Sequence, residues 1–307
     1  MNTLAVVLEE PERLTLRRLD LKPAGPDDVI VEVDWSGIST GTERLLWTGR
    51  MPPFPGLGYP LVPGYEAVGR VVDAGALAQA RIGDQVFVPG SSNFIDARGL
   101  FGGSARTLIT PQARTVTLPA GLGDQGVLLS LAATAQHAIA GGAAPDLIVG
   151  HGVLGRLLLR LTEAHGAPRP TVWETNPSRR EGVAIHPDFD DRRDYRSVYD
   201  ASGAEDLMDF LVARLGRGGE IVLAGFYEER LSFGFPMAFM KEARFRIAAE
   251  FKPEDVTAVT ALIEQGRLSL DGLITHRSDV TEAPDAYRTA FGDSDCLKMI
   301  LDWRKCA

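Results

Sequence analysis

Hydrophobic positions follow two different patterns in the two parts of this chain. Up to about residue 124, short runs such as residues 29–35 and 67–72 alternate apolar and polar side chains with the period of a β-strand. Gly, Pro and Asp separate these runs, so this part predicts a small β-barrel-like domain. From about residue 127, helical patterns alternate with apolar strands, which predicts an α/β fold with a doubly wound parallel sheet.

A glycine-rich loop stands inside the second pattern. The strand predicted over 145–149 ends at the sequence Gly-His-Gly-Val-Leu-Gly of residues 150–155, and a helix follows over 156–165. A second strand, residues 171–173, ends at Glu174, about 20 residues after the last glycine, as in dinucleotide-binding βαβ units. The glycines allow the backbone and the helix N-terminus to approach a pyrophosphate. An acidic residue at this place hydrogen-bonds the ribose hydroxyls and repels a 2′-phosphate, which favours NAD over NADP.

Further cofactor contacts are expected at the carboxyl ends of the following strands, where ligands of doubly wound sheets bind. Ordinary strand-to-helix turns are the alternative interpretation of these positions. The predicted cofactor-binding residues are Gly150, His151, Gly152, Val153, Leu154, Gly155, Thr134, Glu174, Thr175, Asn176, Arg179, Ser202, Gly225, Phe226 and Tyr227.

Charge and cysteine content narrow the class of protein. The chain has 307 residues and a formal net charge of −9, which argues against a nucleic-acid partner. Its two cysteines, Cys296 and Cys306, have no metal-binding spacing and suggest no disulfide framework, so a reducing compartment is expected. No targeting segment is recognised at the N-terminus, and the apolar stretch 127–149 is interrupted by Gly, Pro and polar residues. The sequence therefore predicts a cytoplasmic protein.

Several stretches together resemble the medium-chain dehydrogenase/reductase superfamily along nearly the whole chain. The matching stretches are residues 36–39, 63–72, 82–86, the glycine loop and 266–276. The resemblance implies a GroES-like β-barrel catalytic domain over 1–126 and 250–307, with a Rossmann domain over 127–249 inserted between the two parts. It also implies a basic residue near the pyrophosphate, Lys298 in this sequence.

Longer runs resemble one zinc-free branch of that superfamily more specifically. These runs are residues 35–43, 49–66 and 96–104. The branch oxidises a hydroxyethyl side chain of a magnesium tetrapyrrole, a bacteriochlorophyllide, to an acetyl group in bacteriochlorophyll synthesis. The resemblance therefore implies NAD as the cofactor, a magnesium tetrapyrrole as the substrate, and a homodimer as one possible assembly.

The positions of the catalytic zinc ligands are altered in this sequence. Where zinc-dependent relatives carry cysteine, histidine and cysteine, this chain carries Ser39, Tyr65 and Ser130. A hydroxyl is a poor zinc ligand compared with a thiolate or an imidazole. The hydroxyl residue that relays the alcohol proton in zinc enzymes is replaced by Gly41. We therefore expect no metal and a proton relay made of other side chains.

Oxidation of a secondary alcohol needs a proton acceptor beside the hydride acceptor. Tyr65 could hold the substrate oxygen, although a free phenol has a pKa of about 10 and would need help to accept a proton. Hydrogen bonding to the barrel backbone is the structural alternative for Tyr65, and burial in the helix core is the alternative for a histidine. The predicted catalytic residues are Tyr65, Glu66, Thr40 and His137, with Thr42 and Glu43 as further candidates.

A flat macrocycle requires an apolar pocket with few polar anchors. The Pro- and Gly-rich loop around residues 51–55 is apolar but suits neither strand nor helix, so it predicts a binding loop. The predicted substrate-binding residues are Trp47, Arg50, Met51, Phe54, Tyr59, Phe94 and Phe101.

Two other functions remain open at this point. Zinc-free relatives of the same superfamily reduce quinones or enones with NADPH, and Glu174 argues against that cofactor, although Asn176, Arg179 and Arg180 leave room for it. The other alternative is a protein that binds a dinucleotide without catalysing a reaction.

Overall fold

The structure is a computed structural model that describes residues 1–53, 55–228 and 230–306. It divides into two compact units. Unit 1 consists of Met1–Ser130 and Leu270–Ala307, and unit 2 consists of Leu131–Ser269. A discontinuous first unit interrupted by a second is the arrangement that the sequence predicts.

The first part of unit 1 contains nine strands and one α-helix: β1 (Asn2–Glu10), β2 (Arg13–Asp20), β3 (Asp28–Ile38), α1 (Thr42–Thr48), β4 (Leu61–Val62), β5 (Ala67–Ala74), β6 (Gln85–Val88), β7 (Arg98–Gly99), β8 (Thr107–Pro111) and β9 (Val116–Thr117). The next helix, α2 (Leu129–Ala140), begins in unit 1 and continues into unit 2. Unit 2 then contains β10 (Leu147–Val149), α3 (Val153–Ala164), β11 (Thr171–Trp173), β12 (Tyr195–Asp200), α4 (Met208–Arg214), β13 (Leu215–Leu223), α5 (Phe235–Lys241), β14 (Arg244–Ile247) and α6 (Pro253–Glu264). The chain ends in unit 1 with β15 (His276–Asp279), α7 (Ala283–Gly292) and β16 (Met299–Asp302). Short 3-10 helices lie at Gln79–Arg81, Gln112–Arg114, Gly123–Leu128, Pro177–Arg179, Pro187–Phe189 and Val280–Glu282.

Unit 1 is built from two sheets. One has the order β2-β1-β4-β7, and the other has the order β15-β16-β3-β5-β6-β9, with β8 paired to β3. The long strand β3 is therefore the centre of the second sheet, and the C-terminal strand β16 pairs antiparallel with its last residues. The interior is filled by aliphatic side chains of both sheets and by Trp303, which is fully buried.

Unit 2 is a parallel sheet with the order β11-β10-β12-β13-β14. The inner strands β10 and β12 are short and almost entirely buried, because helices cover a parallel sheet on its faces. The order reverses at β10, with β11 on one side and β12 on the other, so the loops after these strands lie at a topological switch point.

Beyond the glycine loop and β11, the sequence pattern also predicts a strand over 195–200, a helix over 204–215, a turn at Gly218 and Gly219, and a strand over 272–276. The observed β12 matches the first of these, and the other three differ. The predicted turn at Gly218 and Gly219 is a bulge inside β13, since the register with β12 shifts between residues 195 and 197. The helix predicted over 204–215 begins at Met208. The strand predicted over 272–276 is a turn in which Gly272 has a φ of 72°, and β15 begins only at His276.

The second unit extends further along the chain than the sequence predicts. Residues 250–269 were expected in the barrel domain, but they belong to unit 2. The reason is a set of polar contacts within that unit. Asp255 in α6 lies 2.8 Å from Nδ1 of His137, and Arg160 donates a hydrogen bond to the carbonyl of Ser269. No helix in the part of the chain that the structure describes is long and apolar enough to cross a membrane.

Candidate functional site

The glycine loop of unit 2 connects β10 to α3 in the geometry that a dinucleotide pyrophosphate requires. Gly150 has a φ of 95°, which favours glycine, and a Cβ at Gly155 would overlap the carbonyl oxygen of Gly150. A Cβ at Gly152 would meet nothing within 4 Å, so the backbone is open at this point. Gly152 is the N-cap of α3 and no side chain caps its N–H groups. A helix N-terminus of this kind attracts an anion.

Glu174 follows β11 and turns its carboxylate towards the glycine loop. Its Oε2 accepts a hydrogen bond from the backbone N–H of His151 at 3.0 Å, and its Oε1 accepts one from the N–H of Asn176 at 2.8 Å. These two bonds fix a partly exposed carboxylate at the end of the strand. The position and orientation suit recognition of a ribose diol beside the loop.

His151 contributes to the loop through its backbone rather than by contact with an anion. Its side chain is buried, and Nδ1 lies 2.6 Å from the carbonyl oxygen of Arg179. Burial lowers the pKa of the imidazole, so the ring is neutral and donates from Nδ1 to that carbonyl. The imidazole thereby ties the glycine loop to the segment after Glu174.

The ends of β12 and β13 meet at Asp200. This residue lies in one of the two strand-end segments, 200–203 and 225–227, that the sequence predicts to meet the nicotinamide half of a cofactor. Its buried carboxylate accepts hydrogen bonds from the N–H and Oγ of Ser202 and from the phenol of Tyr227, the last at 2.9 Å. The N–H of Gly225 donates to the carbonyl of the same aspartate. The structure therefore brings together three of the predicted cofactor residues around Asp200. The place of both segments at the carboxyl ends of parallel strands is the signal that predicts this cluster.

The remaining predicted cofactor residues differ in their surroundings. Phe226 is 45% exposed, and the carbonyl of Thr175 accepts a hydrogen bond from Arg180. The side chain of Asn176 accepts from the N–H of Ser178, and Thr134 in α2 is partly exposed. These positions are compatible with a ligand but are not brought into one cluster.

In unit 1, the phenol of Tyr65 forms a hydroxyl pair with Ser39. The Tyr65 oxygen lies 2.6 Å from Oγ of Ser39, and the side chain of Thr42 is a second hydrogen-bond partner. Burial and then the negative charge of Glu66 raise the pKa of Tyr65 well above its usual value. The phenol of Tyr65 is thus protonated and neutral, and its hydroxyl can donate one hydrogen bond while it accepts another. Sequence reasoning treated Ser39 only as a lost metal ligand and did not predict this pair.

Glu66 and Lys298 form a buried ion pair, which the sequence did not predict. The Lys298 ammonium lies 2.8 and 3.0 Å from the two carboxylate oxygens of Glu66 and donates to the carbonyl of Ile38. Lys298 is 1% exposed and Glu66 is fully buried, so the ammonium is engaged within unit 1, and a role of Lys298 near the pyrophosphate stays a prediction. A side chain at Gly37 would overlap the Glu66 carboxylate, which explains the glycine there.

Two other catalytic candidates have different partners. His137 lies in unit 2, where Nδ1 contacts Asp255, and the same carboxylate accepts from the N–H of Lys252 at the start of α6. The carboxylate of Asp255 thus caps α6 and contacts His137, and a catalytic role of His137 stays a prediction. Thr40 is exposed in the turn before α1 and has no contact with Tyr65 in the structure as described.

Glu43 links Ser39, a member of the hydroxyl pair, to Tyr287 in the interior of unit 1. Its carboxylate is fully buried; Oε1 accepts from the backbone N–H of Ser39 at 2.9 Å, and Oε2 accepts from the phenol of Tyr287 at 2.7 Å. Burial raises the pKa of this carboxyl to about 7. Tyr287 belongs to α7, near the C-terminus, so no local sequence pattern could have indicated the contact.

Among the predicted substrate residues, Phe101 lies beside the hydroxyl pair. Its ring packs edge-on against Tyr65 with the ring centroids 5.6 Å apart. Met51 and Phe94 are 8% and 2% exposed and belong to the core, because apolar side chains in these loops fold inward, and their contact with a substrate stays a prediction. The phenol of Tyr59 donates to the carbonyl of Leu46.

Trp47 packs against Tyr287 and Phe291 and is partly buried, whereas Arg50 is exposed. Phe54 lies outside the described residues. Trp47, Tyr59 and Phe101 pack against the same hydrophobic core of unit 1 that contains Met51 and Phe94.

Ser39, Tyr65 and Ser130 stand where zinc-dependent relatives carry their ligands, and two of them are hydrogen-bonded to each other. Within residues 1–53, 55–228 and 230–306, no three His, Cys, Asp or Glu side chains are grouped so that they could hold a metal ion.

Comparison with known proteins gives one family model and several relatives. Residues 25–120 match the alcohol dehydrogenase GroES-like domain. The chain is 56% identical to 2-desacetyl-2-hydroxyethyl bacteriochlorophyllide A dehydrogenase of Rhodobacter capsulatus over 99% of both chains. It is 58% identical to the enzyme of the same name from Cereibacter sphaeroides over 100% of both chains.

A solved structure supports the fold. The 2R,3R-butanediol dehydrogenase of Bacillus subtilis aligns with a TM-score of 0.84 and 19% identity, covering 98% of this chain and 99% of the other. At that identity the likeness concerns the arrangement of elements alone.

Proposed function

We propose the function of this chain from its family: it belongs to the medium-chain dehydrogenase/reductase superfamily and, within it, to the 2-desacetyl-2-hydroxyethyl bacteriochlorophyllide A dehydrogenases. On that basis, it oxidises the hydroxyethyl group of a bacteriochlorophyllide to an acetyl group. The observation that carries the proposal is identity of 56–58% over the full length of two enzymes with that name. The reaction removes a hydride from the carbinol carbon and a proton from its hydroxyl. A nicotinamide dinucleotide, when bound, would accept the hydride.

The glycine loop of unit 2 supports a dinucleotide as the cofactor. Gly152 leaves open space at the uncapped N-terminus of α3, where the pyrophosphate oxygens would receive N–H donors. We propose NAD rather than NADP because of Glu174. Its carboxylate, held by two backbone N–H groups, would accept hydrogen bonds from ribose hydroxyls and repel a 2′-phosphate.

The hydroxyl pair of unit 1 is our proposal for the path of the proton. Tyr65 is partly exposed, so its phenol is able to meet a substrate oxygen. With a raised pKa it acts as a neutral relay: it accepts the alcohol proton while it gives its own proton to Ser39, and Ser39 in turn releases its own hydroxyl proton to solvent. Thr42 is the second hydrogen-bond partner of the phenol. Because each hydroxyl gains one proton as it loses another, neither carries a full charge. Glu66 is bound to Lys298 in a buried ion pair, so we do not assign it as the proton acceptor.

The substrate itself explains how the reaction proceeds without a Lewis acid. A hydroxyl on the carbon next to an aromatic macrocycle is activated, because the positive charge that develops as the hydride leaves is delocalised into the ring. The chain then needs only orientation and a proton path. The ring of Phe101, edge-on to Tyr65, offers an apolar contact beside the reacting group.

The proposed function is tested by a turnover assay with the purified protein. Hydroxyethyl bacteriochlorophyllide and NAD should give the acetyl product, identified by its absorption shift and mass, together with one equivalent of NADH. A parallel assay with a simple enone and NADPH tests the quinone or enone reductase activity found elsewhere in the superfamily. Turnover of the enone without turnover of the tetrapyrrole would overturn the proposal, and inactivity in both assays would leave only dinucleotide binding.

We also propose that the protein is a homodimer joined through unit 2. The strand β14 is the last in its sheet, and no strand in the described ranges pairs with its outer edge. Apolar side chains are exposed on and near this edge, including Ile247 at 76% and Phe235 and Phe239 at 69% each. Exposed apolar edge strands aggregate unless they are covered, and a second copy with the same edge would cover it symmetrically. Sedimentation should give a dimer, and Ile247→Lys should give a monomer.

A further inference from the structure

Glu43 connects the two ends of the first unit at the hydroxyl pair. One carboxylate oxygen accepts a hydrogen bond from the backbone N–H of Ser39 at 2.9 Å, and the other accepts one from the phenol of Tyr287 at 2.7 Å. The Oγ of the same Ser39 lies 2.6 Å from the phenol of Tyr65. The carboxylate therefore fixes the backbone from which the Ser39 hydroxyl reaches Tyr65.

The groups that face Glu43 come from four elements of unit 1. Ser39 follows β3, Tyr287 lies in α7, Glu66 precedes β5 and Lys298 precedes β16. Lys298 is already bound to Glu66 at 2.8 Å, and within the described part of the chain no cation forms an ion pair with Glu43. Burial raises the pKa of Glu43 to about 7, and the charge of Glu66 acts in the same direction. Both forms of this carboxyl are therefore populated near neutral pH.

We propose that Glu43 is a positioning residue for the Ser39–Tyr65 hydroxyl pair and that its ionised form is the one that holds the pair in place. The carboxylate accepts from Ser39 and Tyr287 together. When a proton occupies one of its oxygens, that oxygen becomes a donor and a weaker acceptor, so one of the two bonds is weakened. The inference rests on the proposed function only in assigning the hydroxyl pair to the alcohol proton; the effect of Glu43 on Tyr65 is a property of the protein alone.

A spectroscopic experiment tests that effect without any substrate. The chain has six tyrosines, so protein labelled with 3-fluorotyrosine gives a small set of ¹⁹F signals that Tyr65→Phe and Tyr287→Phe assign by deletion. In the wild type, the Tyr65 and Tyr287 signals should shift together with a midpoint near pH 7. In Glu43→Gln, which keeps the shape of the side chain, the Tyr65 signal should lose this transition. A Tyr65 signal that does not respond to pH, or that responds equally in Glu43→Gln, would overturn the proposal.

Tyr287→Phe provides a second variant if Glu43→Gln fails to fold. The phenol of Tyr287 holds the pKa of Glu43 down, so its removal should move the midpoint of the Tyr65 signal to higher pH. An unchanged midpoint would contradict the coupling. The matched control is Trp303→Phe, which removes a buried hydrogen bond from the indole to Oγ of Ser36 in the same unit. This control should lower thermal stability and leave the titration of Tyr65 unchanged.

Kinetics then separate this inference from the proposed function. In the tetrapyrrole assay, Glu43→Gln should lower kcat about tenfold, leave the KM for NAD unchanged, and remove a group that titrates near pH 7 from the kcat profile. Trp303→Phe should keep the wild-type profile. If the wild type does not turn over the tetrapyrrole, the proposed function fails and the ¹⁹F result still decides the role of Glu43. If turnover is normal but Glu43→Gln keeps the wild-type pH profile, the positioning role is wrong.

Discussion

The ammonium of Lys298 lies 2.8 Å from the carboxylate of Glu66, and both side chains are buried in unit 1. The two residues are 232 positions apart in the chain. Removing only one member of a buried ion pair leaves an uncompensated charge in the interior, which costs more than removing both.

The first prediction concerns this pair. Lys298→Met should destabilise the protein by about 3–5 kcal/mol, because Glu66 then remains buried without a cation. Urea unfolding at pH 7 measures the change, and the double variant Lys298→Met with Glu66→Gln should recover much of the loss. A raised KM for NAD with unchanged stability would instead support the role of Lys298 at the pyrophosphate.

The hydroxyl pair gives the second prediction. Tyr65→Phe should lower kcat roughly 100-fold, since acid–base assistance contributes about 10²–10⁴-fold. Ser39→Ala should lower it less, because Thr42 remains as a partner for the phenol. Fluorescence titration of NAD should give wild-type affinity in both variants, because the predicted cofactor anchors lie in unit 2. Near-normal kcat in Tyr65→Phe would mean that solvent takes the proton directly.

Cofactor preference is the third prediction. The wild type should prefer NAD to NADP by at least about tenfold in kcat/KM, since a phosphate beside the Glu174 carboxylate is repelled. Glu174→Gln should narrow the preference, because the amide keeps the shape of the side chain and removes the charge. Steady-state kinetics with both cofactors measure the ratio. Equal use of the two cofactors by the wild type would rule out this role of Glu174.

A fourth prediction follows from the buried carboxyl of Glu43. Its pKa is raised from the 4.5 of an ordinary glutamate to about 7, so the folded state favours the protonated form. The contribution of Glu43 to stability is therefore fully present below about pH 4.5 and is lost as the pH rises through 7. The stability of the wild type relative to Glu43→Gln should fall by roughly 3 kcal/mol between these limits. Urea unfolding of both proteins at several pH values measures the difference, and a constant difference would contradict the raised pKa.

Metal independence is the fifth prediction. Ser39 and Tyr65 satisfy each other at 2.6 Å, and hydroxyls are weak zinc ligands. Dialysis of the protein against a chelator should leave kcat unchanged. The only metal then added to the assay is the magnesium of the tetrapyrrole substrate. Metal analysis of the purified protein should find less than one zinc per chain. Loss of activity together with one zinc per chain would show that the hydroxyl relay is not the mechanism.

The nucleotide-binding part was predictable because its signals are local. A strand, a glycine loop, a helix and an acidic residue follow one another within a short segment, and each has its own sequence pattern. The observed β11 and β12 have the predicted bounds. The bulge at Gly218 was not predictable in the same way, because its form depends on the register with β12.

The site in unit 1 was only partly predictable. Tyr65 was recognised from its position in a family motif, but its partners come from distant segments. Tyr287 reaches Glu43 across 244 residues, and the contact of Lys298 with Glu66 depends on where β16 pairs with β3. Hydrophobic periodicity indicates which face of an element is buried and says nothing about which distant side chain it meets. For this reason the ion pair of Lys298 with Glu66 was not predicted from the sequence.

The discontinuous first unit has a consequence for synthesis on the ribosome. Glu43 and Glu66 leave the ribosome early, whereas Tyr287 and Lys298 lie in the last part of the chain. Unit 2 is continuous and can fold while the chain is still growing, but Glu43 and Glu66 remain without their partners until α7 and β16 have been made. A nascent chain released before that point lacks Tyr287 and Lys298, so it cannot support the hydroxyl pair. Synthesis of α7 and β16 therefore comes after unit 2 in building the proposed proton path.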